Sequence, residues 1–196
     1  LAFDPELVKA QAGPLHTWAL DDVRFVQGRF DIAYAPGMKR RETVSIVHLS
    51  GAEAGGRSVS VGDDKPLVIG GYRFYTTFNK GYAPVISFID AAGAVHSGAI
   101  HLPSYPLNYF KQGNDWRLPG SNTVVKVWLH LPEAVYREDV AWQFHKPQDA
   151  VLVITAEGQR HELSPGGAVA VAGGRVVYNE LRTWMGYKIS HNPLVP

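Results

Sequence analysis

The chain has 196 residues, 45% hydrophobic and 19% charged, an ordinary globular composition with core enough for a large β domain, which argues against disorder. Acidic and basic residues nearly cancel, leaving a formal charge of +1, so no field suited to nucleic acid is present. The absence of cysteine excludes disulfide scaffolds, thiolate metal sites and thiol nucleophiles, and no apolar run reaches the roughly eighteen residues of a membrane span.

Asp4 as N-cap, Pro5 at the first helical position and Gly13 near the end predict one short helix over Pro5 to Gln11. Strand signals then take over. Val23 to Tyr34 carries alternating Phe30, Ile32 and Tyr34; Ala35-Pro36-Gly37 supplies a turn; Thr43 to Leu49 puts Val44, Ile46 and His48 on one face. A hairpin is expected, with Lys39, Arg40 and Arg41 solvated at its tip. Ser58 to Val61 is a short strand closed by Gly62-Asp63-Asp64. Leu67 to Phe78 reads as one long aromatic strand, followed by Pro84 to Ile89 and Val95 to Leu102 around Asp90-Ala91-Ala92-Gly93. Pro103 to Asn122 has no period and reads as a long ordered loop, a common place for function.

Val124 to Leu131 alternates cleanly, with Val125, Val127, Leu129 and Leu131 on one face and Trp128 with His130 on the other. Pro132 to Trp142 fits a helical turn or an irregular segment. Val151 to Ala156 and His161 to Leu163 flank the turn Glu157-Gly158-Gln159, Ala168 to Ala172 passes through Gly173-Gly174 into Val176 to Tyr178, and Trp184 to Ser190 forms a last strand. The expected fold is therefore all-β, an antiparallel sandwich or barrel-like arrangement with a long irregular loop and little helix. It is either one domain over 1–196 or two packed β subdomains with a boundary near 103–122.

The histidines do not build a metal site by spacing. His96 and His101 are separated by an odd number of residues, which on one strand turns their rings to opposite faces, and the others lack short His-x-His or His-x3-His spacing. No Gly-x-Ser-x-Gly elbow occurs, the glycine pairs precede strands rather than helices, and Asp63-Asp64 reads as a solvated turn. No catalytic or metal-ligating residue is assigned. The strongest local feature is aromatic: alternation from Gly71 to Tyr82 puts Tyr72, Phe74, Thr76 and Phe78 on a core face and Arg73, Tyr75 and Thr77 on a polar-aromatic one. Arg73, Tyr75 and Tyr82, with Tyr105, Tyr109 and Trp116 of the long loop, are the candidate binding residues, because tyrosine, tryptophan and arginine dominate binding surfaces.

Lys65-Pro66-Leu67-Val68-Ile69-Gly70-Gly71-Tyr72-Arg73-Phe74-Tyr75 resembles the Pro-Leu, Gly-Tyr-x-Phe-Tyr stretch of ResB proteins. Phe30 to Tyr34, Pro36-Gly37 and Arg41 to Val47 resemble that family's preceding hairpin. Tyr178 to Pro193, with Leu181, Gly186-Tyr187 and Asn192-Pro193, resembles the segment entering its last transmembrane helix. Asp64 stands where the family often has asparagine, and Thr76 where it has glutamine, the departures of a divergent member.

The resemblance implies the extracytoplasmic domain of a bacterial inner-membrane protein that works with a CcsA-type haem-handling membrane protein to attach haem to apocytochrome c. It implies no cofactor in this domain and leaves haem to the full complex, since the family's haem-associated histidines lie in spans and partner. The start at Leu1-Ala2-Phe3 without methionine, and the apolar end Pro193-Leu194-Val195-Pro196, read as a piece of a longer protein whose flanking spans are elsewhere. Arg182, Trp184, Tyr187 and Lys188 then become candidates for a membrane-proximal set, aromatic rings and cationic tips suiting the headgroup layer. The rival reading is a secreted β-sandwich module that binds carbohydrate or another small ligand through Trp116, Tyr105 and Tyr109.

Overall fold

A computed structural model of the chain describes residues 23–50, 56–106, 111–132 and 137–191. The helix expected over Pro5 to Gln11, the candidate Tyr109 and the stretch after His191 lie outside the described residues. Within them the fold is all-β, thirteen strands without a helix: β1 (Phe25–Ala35), β2 (Lys39–Leu49), β3 (Ser58–Gly62), β4 (Leu67–Ile69), β5 (Tyr72–Ile89), β6 (Val95–Ala99), β7 (Gly113–Arg117), β8 (Val124–His130), β9 (Trp142–Gln143), β10 (Val151–Ala156), β11 (Gln159–Leu163), β12 (Ala168–Val171) and β13 (Gly174–His191). They form three sheets, ordered β3-β2-β1-β9, β11-β10-β8-β7 and β12-β13-β5-β4, with β6 also paired to β5. The sheets are antiparallel and none closes into a barrel.

The chain divides into two compact units, and the division falls inside strands. The first comprises residues 1–79, 137–144 and 185–196, and the second residues 80–136 and 145–184, so β5 and β13 each contribute to both and 103–122 lies within the second.

In the first unit β1 and β2 form the expected hairpin around Gly37 and Met38, both in the left-handed region at φ 75° and 60°. The basic cluster is a solvated tip at Lys39 and Arg41, which are exposed, but not at Arg40. Lys39 to Arg41 already belong to β2, and Arg40 turns inward: its side chain is 16% exposed, pairs with Asp63 at 2.6 Å and lies 4.2 Å from the centroid of the Phe78 ring. Asp63 is thus an ion-pair partner rather than a solvated cap, and it also accepts a hydrogen bond from Thr76 at 3.1 Å.

The single strand expected from Leu67 to Phe78 is in fact a hairpin. Ile69 pairs with Tyr72, and the two residues between them, Gly70 and Gly71, have φ of 56° and 80°, the backbone that a primed two-residue turn demands and that only glycine adopts cheaply. Behind it Phe25, Val47, Val61, Leu67, Tyr72 and Phe74 form the core, with Tyr187 and Ile189 of β13 packed on them. Phe25 sets its ring edge-on to Phe74 at 5.4 Å and to Tyr187 at 6.0 Å. Tyr187 also closes a ring of three hydrogen bonds. Its hydroxyl donates to Gln27 Oε1, Gln27 Nε2 donates to Ser45 Oγ at 2.8 Å, and Ser45 Oγ lies 2.6 Å from the Tyr187 hydroxyl.

Phe78 departs from the expected core face. It keeps the parity of Tyr72 and Phe74 but is 61% exposed, because it lies past the end of that core and its cover is the Arg40 guanidinium.

In the second unit β8 carries Val125, Val127 and Leu129 into the core and leaves Lys126, Trp128 and His130 outside. Leu152 and Ile154 of β10, opposite Leu129 and Val127, complete that inner face. The loop expected over Pro103 to Asn122 contains a strand instead. β7 reads Gly-Asn-Asp-Trp-Arg, polar on both faces, so alternation gives no sign of it, yet it pairs in register with β8 from Gly113↔Trp128 to Arg117↔Val124.

Candidate functional site

Among its described residues the second unit carries a cleft on each side of β7. The first lies on the outer face of the β11-β10-β8-β7 sheet. There the register sets Gly113, Trp128, Val153 and Glu162 side by side, with Asp115, Lys126, Thr155 and Arg160 as the next row. Gly113 has no side chain to fill the place beside Trp128, and the result is a hollow of about 510 Å³ rimmed by Lys111, Lys126, Arg160 and Asp115. Trp128 is 58% exposed. An exposed indole gives a flat or ring-shaped ligand an apolar surface to pack on, and the amines and carboxylate can orient that ligand's polar groups. Arg160 is held by Glu162 at 2.7 Å, which leaves the two lysines as the positive groups.

The second cleft, of about 320 Å³, lies between β6 and β7 and is lined by His96, Ser97, Gly98, Ala99, His101, Asn114, Asp115 and Trp116, with Ile86 and Pro119. Trp116 is half-buried on the inner face of β7. His96 is held by Asp90 at 3.3 Å, and Asp90 also accepts the N–H groups of Ala92 and Ala94 at 2.9 Å each, bonds that hold its carboxyl below the usual carboxylate range and fix the turn before β6. His101 sets its ring edge-on to Trp184 at 5.9 Å, and partial loss of water lowers its pKa from the ordinary histidine value.

The six candidate binding residues do not form one site. Trp116 lines the second cleft. Tyr82 and Tyr105 are buried, packed ring edge to ring face at 5.4 Å, and the Tyr82 hydroxyl donates to the His145 carbonyl at 3.0 Å. Burial raises the Tyr82 pKa, and neither ring is open to a ligand. Arg73 and Tyr75 lie half-buried on β5 in the first unit, and Tyr109 is outside the described residues.

The basic-aromatic set near the end of β13 does not present itself as a set either. Trp184 donates through Nε1 to the Leu102 carbonyl at 3.1 Å, the Tyr187 hydroxyl is spent on Gln27 and Ser45, and Arg182 is paired with Glu180 at 2.6 Å. Of the four, Arg182 and Lys188 are exposed. Trp128 is the residue that sequence reasoning left out of the site, although alternation in β8 had already placed it outward.

Among the described residues no three histidine, aspartate or glutamate side chains converge, and His48, His96 and His101 are engaged with Ser58, Asp90 and Trp184 respectively. No helix among the described residues is long and apolar enough to cross a membrane. No family model, curated protein or solved structure matches the chain.

Proposed function

We propose that this chain is the extracytoplasmic domain of a ResB-like cytochrome c biogenesis protein, held at the bacterial inner membrane by flanking spans, where it presents apocytochrome c to a CcsA-type partner for haem attachment. It acts by binding rather than by catalysis, and haem is handled elsewhere in the complex. The observation that carries the reading is where the three resembling segments meet. Ser45 and Val47 come from the first, Tyr72 and Phe74 from the second and Tyr187 from the third, and they pack around Phe25 and Gln27 in one core of the first unit. Residues far apart in sequence that share a motif and a core are what an inherited domain retains.

The test is titration of the purified domain with a reduced apocytochrome c and, separately, with the same protein carrying its haem. Binding of the apo form, with binding of the folded holo form at least tenfold weaker, supports the proposal. Equal binding of both, or of neither, counts against it.

The outer cleft supports a second reading, a module for carbohydrate or another small ligand. Its support is Trp128, an exposed indole with charged groups on either side, while of the Trp116, Tyr105 and Tyr109 set Tyr105 is buried and Tyr109 lies outside the described residues. Saccharide binding that Trp128→Ala abolishes is the result that favours it.

A further inference from the structure

We infer that the cleft between β6 and β7 takes an extended polypeptide as an added strand, bonded through its main chain to both edges; this deepens the proposed function and rests on it for the identity of the polypeptide.

The hydrogen bonds of the two strands define what faces the cleft. Ile100 and Leu102 donate to the carbonyls of Pro84 and Tyr82 at 3.0 and 3.1 Å, in the same register that pairs Gly98 with Ile86 and His96 with Phe88. In an antiparallel pair the main-chain groups of alternate residues point to the neighbour, so the even-numbered residues of this edge serve β5. Ser97, Ala99 and His101 turn their N–H and C=O groups the other way. On β7 the Gln112 carbonyl accepts from Leu129 N–H at 2.8 Å and Leu118 donates to the Thr123 carbonyl at 2.9 Å, so the even-numbered residues serve β8 and Gly113, Asp115 and Arg117 face outward. Both open edges border the same cleft.

Their separation is measured by a side chain. Asn114 Nδ2 donates to the His101 carbonyl at 3.1 Å, and Asn114 Oδ1 accepts from Asp115 N–H at 2.9 Å. One amide therefore reaches both edges, donating to β6's extension and accepting from β7. A peptide unit does the same in the middle of a sheet, its N–H and C=O pointing to opposite neighbours. The Asn114 amide occupies the place of one peptide unit of a missing strand, and the cleft beyond it continues that place along Ser97 and Ala99. Gly98 leaves open space there, with nothing within 4 Å of where a Cβ would stand. The occupant is an unfolded, extended chain, because its exposed main-chain N–H and C=O groups can pair with both edges at successive residues, where the Asn114 side chain reaches them at one.

The experiment titrates the full chain with two fluorescent peptides of equal length, one from the haem-attachment segment of an apocytochrome c and one unrelated but strand-forming, each also made with alternate amides N-methylated. Hydrogen exchange at 95–99 and 113–117 is followed in the same samples. The proposal expects binding that slows exchange at Ser97 and Ala99 and weakens at least tenfold on N-methylation. Ala99→Pro, which removes an outward N–H while leaving the β5 bonds, weakens it comparably, whereas Asn114→Ala frees both edge groups and tightens it several-fold.

Binding of the apocytochrome peptide that ignores N-methylation and leaves exchange at both edges unchanged overturns strand addition while the biogenesis reading stands. Main-chain-dependent binding of the unrelated peptide alone supports strand addition and overturns that reading. No binding of either peptide overturns the inference. Because N-methylation alters only the ligand, it decides the question even if Ala99→Pro does not fold.

Discussion

Phe74 and Phe78 lie on the same strand with the same parity, so shortening each to alanine tests whether the core ends between them. Phe74 is fully buried and meets Phe25 edge-to-face, while Phe78 is 61% exposed against Arg40. Removing a buried phenylalanine loses the transfer free energy of its ring and leaves a cavity that the sheet cannot wholly fill, about 3 to 5 kcal/mol. The edge-on contact with Phe25 accounts for about 0.5 to 1.5 kcal/mol of that. Phe78→Ala forfeits an exposed cation–π contact of about 0.5 to 1 kcal/mol and a minor part of its apolar area. Urea unfolding of both variants, followed by tryptophan fluorescence, should therefore show Phe74→Ala at least about 2 kcal/mol less stable than Phe78→Ala at unchanged slope. Equal losses, or a greater loss at Phe78, refute the placement of the core's edge.

Two tyrosines make a paired test: Tyr187→Phe breaks the ring with Gln27 and Ser45 and should cost about 1 to 3 kcal/mol, whereas Tyr178→Phe removes a buried hydroxyl with no partner among the described residues and should cost about 0 kcal/mol, both read in denaturant melts. Gly174→Ala would put a methyl 2.5 Å from the Ile89 carbonyl and 2.6 Å from the Phe88 ring, and should destabilise by about 1 to 3 kcal/mol in the same assay. Alkaline pH should unfold the protein. Burial pushes Tyr34 and Tyr178 up to about 12, against an opposing pull from Arg40 on Tyr34, and also raises Tyr82 and Tyr187. These phenols are neutral in both states below the unfolded value of 10.0, so their contribution is intact there and is lost as pH rises from about 10 through 12, when only the unfolded chain ionises freely. Tyrosinate absorbance rising together with loss of β circular dichroism is the expected result; complete ionisation of a still-folded protein contradicts it.

Alternation made the inner strands legible and failed at edges and close approaches. Val125, Val127 and Leu129 alternate with Lys126, Trp128 and His130 because β8 has one wet face, and the reading there was right. β7 is an edge strand with polar residues on both sides, so nothing periodic marks it. β5 was read in two pieces, Leu67 to Phe78 and Pro84 to Ile89, with Gly81 in the gap, and β13 as Val176 to Tyr178 and Trp184 to Ser190, with Gly186 inside the second piece. In the fold both glycines are close approaches: a Cβ at Gly81 would stand 2.9 Å from Trp184 Nε1, and one at Gly186 3.1 Å from Asn79. Glycine there admits a neighbour rather than ending a strand. For the same reason aromatic composition found Trp116 but could not tell it from Tyr82 and Tyr105, whose burial depends on partners distant in sequence such as His145.

The central claim is that the protein serves cytochrome c maturation, and it is tested most directly by deleting its gene in the organism that carries it and staining membrane and periplasmic proteins for covalently bound haem. The account predicts that c-type cytochromes lose their haem while b-type cytochromes keep theirs, and that restoring the gene restores them. Unchanged haem in the c-type cytochromes of the deletion strain contradicts it.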